Sequence, residues 1–89
     1  MKLTVTLFNE AHQRAFGCAP HFGRPERDGP DHCPVVSVVL EVDNLIEPIP
    51  GKGCNQKAAR QDAVDQVMKI FDRLPYELRR AIEEKVEAF

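Results

Sequence analysis

The chain has 89 residues, enough for one two-layer core and too few for two. Its net charge is −2, from 12 Lys+Arg against 14 Asp+Glu, so a uniformly basic nucleic-acid binder is excluded and only a local cationic patch is possible. No apolar run is long enough to span a membrane, no signal-peptide pattern opens the chain, and the 3 cysteines do not form a disulfide framework. A reducing intracellular compartment, cytoplasmic or nuclear, is the expectation. Cys18-x-x-His21 and His32-Cys33 carry groups that zinc takes, but the paired C-x-x-C or H-x-x-x-H spacing is missing. No metal and no cofactor is expected, and the thiols of Cys18, Cys33 and Cys54 read as free and at least partly buried.

In chain order, Val5, Leu7, Phe8, Ala11, Ala15 and Phe16 recur at helical spacing and predict a helix over residues 4–16. Thr4 or Thr6 can cap its start and Gly17 its end, although the β-branched opening leaves an extended segment as an alternative. Over 21–28, Gly23 and Pro25 restrict any strand to a short, irregular edge piece. Asp28-Gly29-Pro30-Asp31 has loop composition, and Cys33-Pro34 closes it. Residues 35–42, rich in valine, predict the central strand. Asp43-Asn44 then predicts a hairpin turn, followed by a third strand over 45–49 that Pro48 and Pro50 confine to an edge.

A second helix is expected over 55–73, with Ala59, Ala63, Val64, Val67, Met68, Phe71 and Leu74 on one stripe. Pro75 stops it, and residues 76–89 predict a third helix with Leu78, Ala81, Ile82, Val86 and Phe89 as its apolar face. Helices on one face of three antiparallel strands make an α+β sandwich. At the start of the second helix, Gln56, Lys57 and Arg60 crowd into the first turns. Cations there oppose the helix macrodipole by about 0.3–1 kcal/mol each, a penalty that an external anion removes. The duller reading is a solvated helix start.

These segments resemble a double-stranded RNA-binding domain (dsRBD). The resemblance covers residues 4–74. It rests on Phe8-Asn9-Glu10-x-x-Gln13, Pro20-x-Phe22, the turn Gly29-Pro30-Asp31-His32, Val36-x-Val38, and Gly51-x-Gly53-x-Asn55-Gln56-Lys57-x-Ala59-Arg60-x-x-Ala63-Val64-x-x-Val67-Met68. It implies an α-β-β-β-α domain over 1–74, with 75–89 a helical extension of the same domain. It also implies a non-catalytic module, of the kind carried by larger RNA-processing proteins, that recognises A-form duplex over about 16 base pairs through 2′-hydroxyls and phosphates. Thr6, Asn9 and Glu10 would enter one minor groove and Pro30, Asp31 and His32 the next. Lys52, Gln56, Lys57 and Arg60 would span the phosphates between them.

The chain departs from the family where two adjacent lysines become Gln56-Lys57 and the capping serine becomes Asn55, and Pro25, Pro48 and Pro50 shorten the outer strands. Weaker binding is expected. The alternative is a protein-protein or homodimerisation module with weak or no RNA binding, using Leu78, Ile82, Val86 and Phe89 as its interface. No nucleophile, base and orienting group occur at recognisable spacing, so no enzyme is expected.

Overall fold

Thr4 is extended, and its hydroxyl accepts a hydrogen bond from the Leu7 amide at 3.2 Å, starting helix α1 (Val5–Phe16). Gly17, in the left-handed region at φ 77°, ends it by donating to the Gln13 carbonyl. A computed structural model describes residues 3–87 of the chain.

Four short strands follow: β1 (His21–Phe22), β2 (Glu26–Asp28), β3 (Val35–Glu41) and β4 (Ile49–Gly53). β1 and β2 are two pieces of one interrupted edge strand, both antiparallel to β3, and the Gly23 amide donates to the Val39 carbonyl between them. β4 pairs antiparallel with the other edge of β3, which makes β3 central as its valines predict. Val36, Val38 and Leu40 face the helices and are buried, whereas Val35 and Val39 lie on the open face.

The third strand begins later than its composition suggests. The Leu45 amide donates to the Val42 carbonyl, so Asp43-Asn44 does form a turn, with Asn44 at φ 64°. Pairing resumes only at Ile49, because the inward positions of this strand are Ile49 and Gly51, not Leu45. Pro50 has no N–H and stands opposite Val39, so the alternation of the ladder turns the Lys52 amide outward, where the Asp62 carboxylate accepts it at 2.9 Å. That edge offers a second strand neither of these two donors.

Helix α2 (Gln56–Lys69) lies across β4 and β3. It stops four residues before the expected end at residue 73, and Met68 is exposed rather than on the buried stripe. Bonds from Ile70 to Val67 and from Arg73 to Ile70 tighten the chain into a 3-10 turn over Phe71–Arg73. Pro75 holds Leu74 extended, and the turn delivers Leu74 to the core.

Helix α3 (Tyr76–Glu87) packs along α1. Leu78 and Ile82 are buried at 0% and 1% exposure, and Val86 is half-buried against the same cluster. The stripe that the adaptor alternative would offer to a partner therefore completes this domain's own core, since α1 supplies the apolar surface it needs. Phe89 lies outside the described residues. Among those described, no helix is long and apolar enough to cross a membrane.

His12 is the one buried polar residue among those described, at 0% exposure. Its Nδ1–H donates to the Cys18 carbonyl at 2.7 Å and its Nε2 accepts from the Asp43 amide at 3.2 Å, which requires the neutral Nδ1–H tautomer. The ring also meets Phe16 edge-on at 4.8 Å. His12 thus fastens the end of α1 to the turn after β3. His12→Leu keeps the volume and loses both hydrogen bonds, and about 1–3 kcal/mol of stability should go with them in a urea titration.

The cysteines, expected to be at least partly buried, are all exposed, because each falls in a connection rather than on an inward-facing position. The Asp43 carboxylate accepts the Cys18 thiol proton at 3.2 Å. That bond, ahead of the neighbouring negative charge, raises the thiol pKa above its ordinary value.

Candidate nucleic-acid interface

The surface around the start of α2 is set by Gly51 and Gly53. Both face α2, and a Cβ on Gly51 would sit 2.3 Å from the Ala59 carbonyl oxygen and 2.6 Å from the Ala63 amide. The bare backbone that could admit a ligand is therefore covered by the protein's own helix. Asn55 is extended, and its Oδ1 accepts the Ala58 amide at 2.8 Å, capping α2 with no acidic residue in the first turn. Helix geometry leaves the Gln56 and Lys57 amides without intrahelical acceptors. Lys57 is exposed at this same helix end, which brings a cation together with the unpaired donors.

Arg60 sits one turn on but is held differently. Its guanidinium lies 5.5 Å from the Phe22 ring centroid, and the side chain is half-buried, with Nε lacking a hydrogen-bond partner. Phe22 stands opposite the buried Leu40, which places its ring on the helix side of the sheet. Arg60 is thus a fixed cation and Lys57 a free one.

Thr6, exposed in the first turns of α1, meets this cluster in an open groove of about 550 Å³ lined by Val5, Thr6, Asn55, Gln56, Lys57 and Arg60. Gln61 of α2 donates to the Leu3 carbonyl at 2.9 Å and so ties α2 to the segment that leads into α1. Glu10 follows Thr6 by one turn on the same face of α1 and is exposed, 3.6 Å from the Lys85 ammonium of α3.

Pro30, Asp31 and His32 are exposed in the β2–β3 turn, fixed by a bond from the Cys33 amide to the Pro30 carbonyl. The register places this turn at the same end of the sheet as the start of α2, because Asp28 pairs with Val35 and Gly53 with Val36. Two expected site residues stand apart. Asn9 is half-buried, and its Oδ1 is covered and without a partner, so it is not a freely exposed groove contact. Lys52 alternates with Gly51 and so projects from the opposite face of the sheet, away from Lys57 and Arg60. Composition alone hides the clamp of Phe22 on Arg60 and the place of Lys85, since both arise from contacts between distant segments.

No family model matches the chain. It is 41% identical over 63 residues to ribonuclease 3 of Sinorhizobium medicae strain WSM419, a match that covers 71% of this chain and 24% of that protein. The chain therefore spans about a quarter of the relative's length. With the helix, three-strand and helix order described above, the fold is that of a dsRBD-like α+β sandwich carrying an additional C-terminal helix.

Proposed function

We propose that the chain is a non-catalytic module that binds double-stranded RNA by its A-form shape. The observation that carries this reading is the convergence of Thr6, Gln56, Lys57 and Arg60 on one groove, at the end of the sheet that also bears the Pro30–His32 turn. Hydroxyl, amide and cationic groups arranged in this way suit 2′-hydroxyls and phosphates rather than base edges. The likeness to part of a protein named a ribonuclease supports RNA as the partner class. The chemistry of cleavage belongs to the rest of such a protein in this reading.

The adaptor reading loses its main support, because Leu78 and Ile82 are consumed by the core. The Asp62 carboxylate on the Lys52 amide further discourages pairing through the β4 edge.

Fluorescence anisotropy with RNA and DNA duplexes of equal length, longer than about 16 base pairs, tests the proposal. RNA is expected to bind at least about tenfold tighter, or about 1.4 kcal/mol, the size of one or two lost hydrogen bonds. Equal affinities would reduce the interaction to non-specific charge attraction and overturn the reading.

A further inference from the structure

We infer that Lys85 of α3 is a phosphate contact, so that the RNA-binding surface continues beyond the dsRBD-like part onto the C-terminal helix. This rests on the duplex-RNA reading above. The surface begins with Lys57 and Arg60, passes Thr6 in their shared groove, and reaches Glu10 one turn along α1. The Lys85 ammonium lies next, 3.6 Å from the Glu10 carboxylate. Arg14, one turn beyond Glu10, pairs with Glu84 at 2.9 Å, so the acidic neighbour of Lys85 on α3 already has its own cation.

The exposure of the pair shows what Lys85 is free to do. The Lys85 side chain is 30% exposed and that of Glu10 50%, so the pair stays in reach of solvent. A pair this exposed is weak, and a phosphate can take the ammonium from the carboxylate. Glu10 is the residue that the reading places in a minor groove, and phosphates flank such a groove on both sides. A cation beside Glu10 therefore lies where a phosphate passes, and it supplies a charge that the replacement of a family lysine by Gln56 removes from α2. It also screens Glu10 from the strand that it approaches.

The slope of log affinity against log salt counts such contacts, at about 0.9 per phosphate neutralised on B-form duplex. Titrations of one RNA duplex at several salt concentrations are compared for wild type, Lys85→Gln, Lys85→Arg and the double variant Glu10→Gln/Lys85→Gln, with thermal melts as a check on folding. Lys85→Gln should lower the slope by about one, Lys85→Arg should keep it, and the double variant should stay low. An unchanged slope in Lys85→Gln overturns the inference alone. A wild-type slope in the double variant also overturns it, since Lys85 would then act only by neutralising Glu10. A wild-type chain that binds no duplex RNA overturns this inference together with the proposed function.

Discussion

Lys57→Glu should weaken binding to duplex RNA by about tenfold or more while leaving the melting temperature unchanged, and Lys57→Glu with Arg60→Glu should abolish binding. Lys57 is exposed in the first turn of α2, so reversing its charge disturbs no packing and places a carboxylate beside the Gln56 and Lys57 amides where a phosphate is expected. A glutamate there also suits the helix macrodipole, so the variant should be no less stable than wild type. Arg60 behaves differently. Its guanidinium lies on the Phe22 ring, and Arg60→Glu should cost about 0.5–2 kcal/mol of stability in addition to its effect on affinity. Anisotropy titrations and thermal melts on the three proteins separate the two effects. Wild-type affinity in a folded double variant would remove the start of α2 from the interface.

How much of this surface is legible in the sequence follows from how local each signal is. Thr4, Gly17 and Asn55 act within a turn of their own positions, and each starts or stops a helix where its chemistry indicates. Pro75, expected to end α2, instead directly precedes α3, because α2 has already ended at Lys69. The valines of β3 are equally plain, because a central strand with a buried face keeps its period-2 pattern. The span of β4 is not plain. Pro50 marks it as an edge strand, but its inward positions include Gly51 and Gly53, which show no side chain to a periodicity argument, so the strand reads as 45–49 rather than 49–53.

The same gap separates the site residues. Lys57 and Gln56 follow from their place after a cap, whereas the orientation of Lys52 depends on the register of β4, which composition does not reveal. His12 reads as one polar residue on an amphipathic helix. Its partners are backbone groups 6 and 31 residues away, a separation at which no spacing rule operates. Glu10 stands on the expected face of α1, but its companion Lys85 comes from a helix outside the family pattern.

Gly51→Ala should destabilise the domain by about 2 kcal/mol or more, lowering the melting temperature by about 8 °C or more for a chain of this size. The added Cβ meets the Ala59 carbonyl oxygen at 2.3 Å, the Ala63 amide at 2.6 Å and the Ala63 Cβ at 2.7 Å. Two of these are helix backbone atoms, which cannot turn aside as the end of a flexible side chain can, so relief requires all of α2 to move off β4. That displacement would carry Lys57 and Arg60 away from Thr6 and loosen the Phe22 contact. Affinity for duplex RNA should therefore fall even at temperatures where the variant remains folded. Gly17→Ala is the informative comparison, because its Cβ has open space and only the left-handed φ of 77° opposes it, at a cost of about 1 kcal/mol. A Gly51→Ala protein that melts within about 2 °C of wild type would show that α2 does not need to press on β4, and that the groove is positioned by some other contact.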